Sequence, residues 1–136
     1  MLAQKISLLS FGDKRGTLVP LEEESDAVPF KLRRIYYIYN VDSDMSRGFH
    51  AHKQLKQLMI CVSGNCEIHL SDGHCNETVK LDSPAVGLLI EKPLWREMSG
   101  FSEGCVLVVL ASEEYDPDDY IWDYEEFRRY VGSANV

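Results

Sequence analysis

From Gln57 to Ser112 the chain leaves no room for a long helix. Turn residues break it every few positions, first at Ser63-Gly64-Asn65 and again at Ser71-Asp72-Gly73. The runs between are QLMICVSG (57–64), CEIHL (66–70), ETVKL (77–81), VGLLIEK (86–92) and GCVLVVLAS (104–112). They are short, apolar and rich in Val, Ile, Leu and Thr, which suits strands. Upstream, KISLLSF (5–11), TLVPLE (17–22) and KLRRIYYIYNV (31–41) read the same way. Closely spaced strands without helical periodicity between them predict an all-β antiparallel sandwich or barrel. Residues 1–136 suffice for one domain with one core.

The end of the chain differs. In DPDDYIWDYEEFRRYV, Asp116 or Asp118 suits an N-cap, Pro117 the first turn, and Arg128 and Arg129 the last. One or two short helices are expected there, packing Tyr120, Ile121, Tyr124 and Phe127 on the barrel. Charge is skewed in the same direction. Residues 111–136 carry eight acids and two bases, while the other 110 residues carry 14 acids and 12 bases. The body is nearly neutral and shows no basic stripe for nucleic acid. Residues 22–28, EEESDAV, read as an exposed, solvated loop. No apolar run approaches a membrane span and no leader is evident, so the expected location is the cytoplasm. Cys61, Cys66, Cys75 and Cys105 form no CxxC pair and are expected to be free thiols, mostly buried.

Chemistry concentrates in RGFHAHK (47–53), which holds two of the four histidines. Alternate residues of a strand share a face, so His50 and His52 point the same way, with Ala51 opposite. If that face is the barrel interior, two imidazoles enter one cavity and need polar partners there. His69 and His74 fall on or beside the turn at 71–73 and are expected to be exposed.

The spacing resembles the cupins. Their first motif is His-x-His, then a glutamate and a glycine; here it reads His50-Ala51-His52, with Gln57 in the glutamate position and Gly64 following. Their second motif runs Gly, Pro-x-Gly, His; here Gly87 and Pro93 are kept and Met98 stands in the histidine position. A catalytic zinc or non-haem iron wants about three good ligands. With an amide and a thioether replacing two of them, no metal is expected, and proton transfer is the remaining use for the pair.

Nearly the whole chain further resembles the nucleotide-sugar 3,4-ketoisomerases that act on dTDP-4-keto-6-deoxyglucose. The carriers are RRIYYIYNV, SRGFHAHK, LSDG, KPLWREM and VLVVLASEEYDPDDYI with DYEEF after it. The resemblance implies a metal-free cupin jelly-roll barrel with a short C-terminal helical segment. It implies a homodimer with exchanged N-terminal strands, no cofactor, and a dTDP-sugar product that passes to an aminotransferase in dideoxy amino sugar synthesis. On this reading His50 and His52 transfer protons, with His50 favoured as the C3 base. Tyr37 orients a histidine or donates to the enediolate, unless it is core. Arg47 and Arg96 are favoured for the diphosphate, with Arg15 third; Lys53 and Arg34 serve it or merely solvate the surface. Glu97 bonds a hydroxyl or a histidine, or makes an ordinary salt bridge, and Trp95 stacks on thymine or packs. A 3,5-epimerase, a non-catalytic sugar-nucleotide binding module and a metal-dependent dioxygenase are the competing functions.

Overall fold

A computed structural model describes residues 1–134. Its strands are β1 (Gln4–Ser7), β2 (Phe11–Asp13), β3 (Gly16–Leu18), β4 (Arg34–Tyr39), β5 (Arg47–His52) and β6 (Gln57–Ser63). They continue with β7 (Cys66–Ser71), β8 (Asn76–Leu81), β9 (Val86–Ile90), β10 (Trp95–Ser99), β11 (Val106–Ala111) and β12 (Tyr120–Ile121). One helix, α1 (Tyr124–Ala134), follows. Two antiparallel sheets, ordered β1-β9-β6-β11-β4 and β12-β5-β10-β7-β8, face each other, and β2 and β3 form a separate hairpin. This is the all-β, cupin-type barrel with a short C-terminal helix.

The sheets meet over Met59, Leu88, Ile90, Leu107 and Val109 on one side and Ile68, Leu70, Val79, Leu81 and Met98 on the other. Their outer faces are covered as well. The N-terminal segment lays Leu8, Val28 and Phe30 over Leu58, Ile60, Leu89 and Leu110. This double burial explains why LMIC (58–61) and VLVVLA (106–111) are continuously apolar rather than alternating. It also corrects the expectation for residues 22–28, since Val28 is fully buried and anchors that loop. On the second sheet, Ile121 and Phe127 cover Ala51 and Trp95. Burying Phe127 completely is worth about 2–3 kcal/mol.

The C-terminal segment is only partly helical. Asp116 caps a single 3-10 turn, Pro117–Asp119, by accepting from the Asp118 N–H. The chain then pairs with β5 (Tyr120 opposite His52, Ile121 opposite Ala51) before Asp123 caps α1 through the Glu126 N–H. Ile121 and Phe127 pack outside the sheet with Tyr124, as expected; Tyr120 turns instead toward the histidines. Among the described residues, no helix is long and apolar enough to cross a membrane.

Candidate active site

Strand β5 and strand β10 build the site together. Their pairing shifts register, with Arg96 opposite His50 but Glu97 opposite Gly48, so Phe49 is the extra residue of a β-bulge. Gly48 has φ +93, and a Cβ there would lie 2.9 Å from the Arg96 carbonyl oxygen, so glycine is required. Phe49 itself sits at φ +58, a conformation that costs a bulky residue roughly 1–3 kcal/mol. The bulge has a consequence for chemistry. Arg47 and His50 are three residues apart and would face opposite ways on a regular strand. With Phe49 left out of the ladder, Arg47 pairs with Met98 and His50 with Arg96, so Arg47, His50 and His52 share the inner face.

His52 is only 2% exposed. Its Nδ1 lies 3.1 Å from Asp119 Oδ2, and its Nε2 is buried without a hydrogen-bond partner. His50 Nδ1 is likewise buried and unpartnered. The rings stand edge to face, 4.8 Å apart. Tyr120 lies against both, at 5.0 Å from His50 and 4.3 Å from His52, and Trp122 stacks on Tyr120 while reaching 5.3 Å from His50. Burial, then the Arg96 guanidinium, pushes His50 down to about 4; the Gly48 backbone opposes this and Arg47 adds to it. Burial and Arg96 again, with His50 and Arg34, push His52 down to about 2. Asp119 also accepts from the Gln54 and Leu55 N–H groups. Both imidazoles are therefore neutral at pH 7 and able to accept protons.

The cation beside them is buried as deeply as they are. Arg96 is 1% exposed and has no carboxylate at hydrogen-bond distance. Its Nε and Nη2 donate to the Leu94 carbonyl at 3.3 and 3.0 Å, and Nη1 donates to Gln57 Oε1. Gln57 Nε2 in turn donates to the Tyr36 hydroxyl at 2.9 Å. Desolvation lowers Arg96 to about 10, still charged at neutral pH. A buried, uncompensated cation is costly unless an anion joins it. Arg34 adds a second cation at the barrel mouth. It lies over the Tyr36 ring at 5.1 Å and the Tyr115 ring at 5.8 Å, with a buried, unpartnered Nε.

The donor set does not suit a metal ion. Gln57 is engaged by Arg96 and Tyr36, Met98 is packed in the core, and His52 Nδ1 faces Asp119. A guanidinium hydrogen-bonded to one would-be ligand repels a second cation.

Of the residues expected from sequence, His50, His52, Arg47 and Arg96 come together with Arg34 beside them, and Tyr37, Trp95, Glu97, Lys53 and Arg15 lie elsewhere. Tyr37 is on the outer face of β4 and 65% exposed; strand alternation turns Arg34, Tyr36 and Ile38 inward instead. Trp95 and Glu97 alternate with the inward Arg96 and Met98, so they face outward. They bond each other at 2.9 Å and line a separate groove of about 590 Å³ with Phe49, His69 and Tyr124. Lys53 lies just beyond β5 with an exposed side chain, and only its backbone N–H is engaged, by the Asp119 carbonyl. Arg15 sits at the tip of the β2–β3 hairpin, pairing with Asp13 of the same hairpin. His69 is within β7, half-buried and bonded to Thr78 and Ser99, rather than on the turn.

Sequence reasoning missed Tyr36, Asp119, Tyr120 and Trp122 and undervalued Arg34. The phase of YYIY is invisible in the sequence, and β12 lay hidden in a segment with helical caps. All four cysteines are free; Cys75 is exposed and the other three are buried.

The family model described as FdtA: WxcM-like, C-terminal, matches residues 2–132. A TDP-4-oxo-6-deoxy-alpha-D-glucose-3,4-oxoisomerase of Aneurinibacillus thermoaerophilus is 45% identical over 124 residues, 91% of this chain and 88% of the relative. A crystal structure of a 3,4-ketoisomerase from Helicobacter canadensis superposes with a TM-score of 0.93 at 45% identity, covering 97% of this chain and 98% of that one. QdtA, a sugar 3,4-ketoisomerase from Thermoanaerobacterium thermosaccharolyticum solved in complex with TDP, gives a TM-score of 0.94 at 41% identity, with 99% and 98% covered. A histidine-to-asparagine mutant of QdtA has also been crystallised in complex with TDP-4-keto-6-deoxyglucose.

Proposed function

The chain belongs to the FdtA, WxcM-like C-terminal family of sugar-nucleotide 3,4-ketoisomerases, and we propose that it converts dTDP-4-keto-6-deoxyglucose to a dTDP-3-keto-6-deoxyhexose without a metal or redox cofactor. The observation that carries this reading is the pair of neutral, buried imidazoles with orphaned nitrogens beside a buried guanidinium.

The reaction moves two protons. In the substrate C3 bears a hydrogen and a hydroxyl, and C4 is a ketone. In the product C3 is the ketone, and C4 bears the hydrogen and the hydroxyl. The C3 hydrogen is acidic because it lies α to the C4 carbonyl. One proton travels from carbon to carbon and one from oxygen to oxygen, through a shared enediol, and the sugar is both oxidised and reduced. Two imidazoles match two protons. His50, whose Nδ1 has no partner, takes the C3 proton and returns one to C4; His52 serves the two oxygens. Arg96, fixed by Gln57 and Leu94, offsets the negative charge that develops on the enediolate, a role preorganised donors fill at little reorganisation cost. Arg47 and Arg34, on the inner face at the mouth, are the bases available to the diphosphate, for which arginine forks suit phosphate oxygens. Tyr120 and Trp122 form an aromatic wall beside His50.

A second copy of the chain is part of this proposal. Strand β4 is a sheet edge whose outward residues, Ile35, Tyr37 and Tyr39, are all exposed. Leu9, Phe11 and Leu18 of the N-terminal arm are exposed too. A homodimer with exchanged N-terminal strands covers both sets, a use of Tyr37 that replaces its expected catalytic one. Light scattering at micromolar concentration is expected to give a dimer mass for the native chain and a monomer mass for Tyr37→Glu. A native monomer mass removes this part of the reading.

The test of the activity is proton NMR of the product formed from dTDP-4-keto-6-deoxyglucose. A 3-keto sugar nucleotide is expected. Unchanged substrate, or a 4-keto sugar epimerised at C3 or C5, contradicts the proposal.

A further inference from the structure

We infer that Asp119 is a positioning residue: it fixes His52 as the tautomer protonated on Nδ1 and so leaves Nε2 bare to exchange a proton with the sugar oxygens. This rests on the functional reading above and deepens it.

The argument is one of donors and acceptors. The Asp119 side chain is 10% exposed and meets three donors. The Gln54 N–H reaches Oδ1 at 2.7 Å, the Leu55 N–H reaches Oδ2 at 3.4 Å, and His52 Nδ1 lies 3.1 Å from Oδ2. Two backbone N–H groups each take a lone pair of the carboxylate and fix its plane. An ionised carboxylate only accepts. Nδ1 must therefore donate. A neutral imidazole has one N–H, so Nε2 carries a lone pair, and it is this atom that is buried without a partner. An unsatisfied buried acceptor costs roughly 1–3 kcal/mol, which a substrate hydroxyl relieves.

The surrounding backbone is built around the contact. Asp119 ends the 3-10 turn capped by Asp116, and its carbonyl accepts from the Lys53 N–H at 3.0 Å. The next residue, Tyr120, pairs with His52 across β12 and β5 and sets its ring edge-on against the imidazole. His50 has no carboxylate partner, so the two histidines are not equivalent. His52 is locked in one tautomer and stabilised by Asp119 once it gains a proton. Taking the O3 proton makes His52 an imidazolium; returning that proton to O4 restores the neutral ring, so the step is balanced without any other reactant.

The deciding variant is Asp119→Asn. Its single oxygen stays with the Gln54 N–H, and its NH₂ then faces Nδ1, driving the imidazole proton to Nε2. The expected result is a fall in kcat of about 10²–10⁴-fold with KM and TDP affinity within about threefold. Long-range proton–nitrogen NMR of histidine-labelled protein is expected to show His52 switching from the Nδ1–H to the Nε2–H pattern. Retention of kcat within about threefold overturns the inference. So does lost activity with His52 still protonated on Nδ1. If the variant does not fold, the native spectrum decides: an Nε2–H tautomer for His52 overturns the inference, an Nδ1–H tautomer supports it. A native protein that makes no 3-keto product defeats the functional reading instead, and the tautomer measurement still judges the Asp119 contact separately.

Discussion

Strand β6 runs between two kinds of interior. At its start Gln57 joins Arg96 and Tyr36 beside the histidines. Four residues on, Cys61 meets Cys105, with the sulfurs 3.5 Å apart, and Cys66 belongs to the same cluster. Both ends are buried, and in both burial favours the neutral form of titratable groups. It pushes the Cys61 thiol up to about 12 and the His50 imidazole down to about 4. The consequences differ because the neutral forms differ. A neutral thiol in an apolar core is nearly inert. A neutral imidazole is a base, and at this end two imidazole nitrogens lack partners while a guanidinium has no carboxylate within hydrogen-bond distance. One end is packed to satisfaction; the other is left with unpartnered polar atoms, which the proposed enediolate would engage.

The largest effect expected from disturbing this contrast is at the polar end. His50→Asn is expected to lower kcat by about 10³-fold or more while leaving TDP affinity, measured by calorimetry, within about threefold. An affinity loss as large as the rate loss turns His50 into a binding residue. At the apolar end the effect moves from rate to stability. Leu107→Ala is expected to cost about 2–5 kcal/mol in denaturant unfolding, with the kcat of the folded fraction little changed.

Acid discriminates the ends next. His50 and His52 have folded-state values below the unfolded 6.5, so from pH 6.5 downward the unfolded chain binds more protons than the native one. Their contribution to stability is present in full above pH 6.5 and is lost as pH falls toward about 4 for His50 and about 2 for His52. The slope reaches about 1.4 kcal/mol per pH unit for each histidine. Replacing either by Asn is expected to reduce that slope in unfolding curves between pH 6.5 and 4.5. An unchanged slope means the rings titrate normally. The smallest effects belong to the outer face of β10: Trp95→Phe and Glu97→Gln are expected to keep kcat/KM within about threefold. A hundredfold loss from Glu97→Gln in steady-state assays would place that carboxylate in the site after all.

How much of this the sequence disclosed follows from alternation. Two histidines one residue apart had to share a face, and a barrel interior was the place for them. Met98, read into a ligand position, had to point inward; by the same alternation Arg96 points inward and Trp95 and Glu97 do not, a step the sequence reading did not take. Tyr36 and Tyr37 are indistinguishable until one knows which face of β4 meets the core. Arg47 shares the face of His50 only because Gly48 and Phe49 form a bulge that alternation alone does not disclose. Asp119 and Tyr120 were out of reach for another reason. Asp116, Pro117 and the early acids are good helix signals, and tertiary pairing with β5 overrode them at β12.

The central claim is that His50 and His52, held neutral beside Arg96, carry the sugar's protons. Its most direct test follows the C3 hydrogen itself, by proton NMR of the bound sugar nucleotide in deuterated water with native protein and with His50→Asn. The expected result is conversion to a 3-keto sugar by the native chain, with no conversion and no loss of the C3 signal in the variant, although TDP still binds. Continued conversion by His50→Asn, or a native product that remains a 4-keto sugar labelled at C3 and C5, contradicts it.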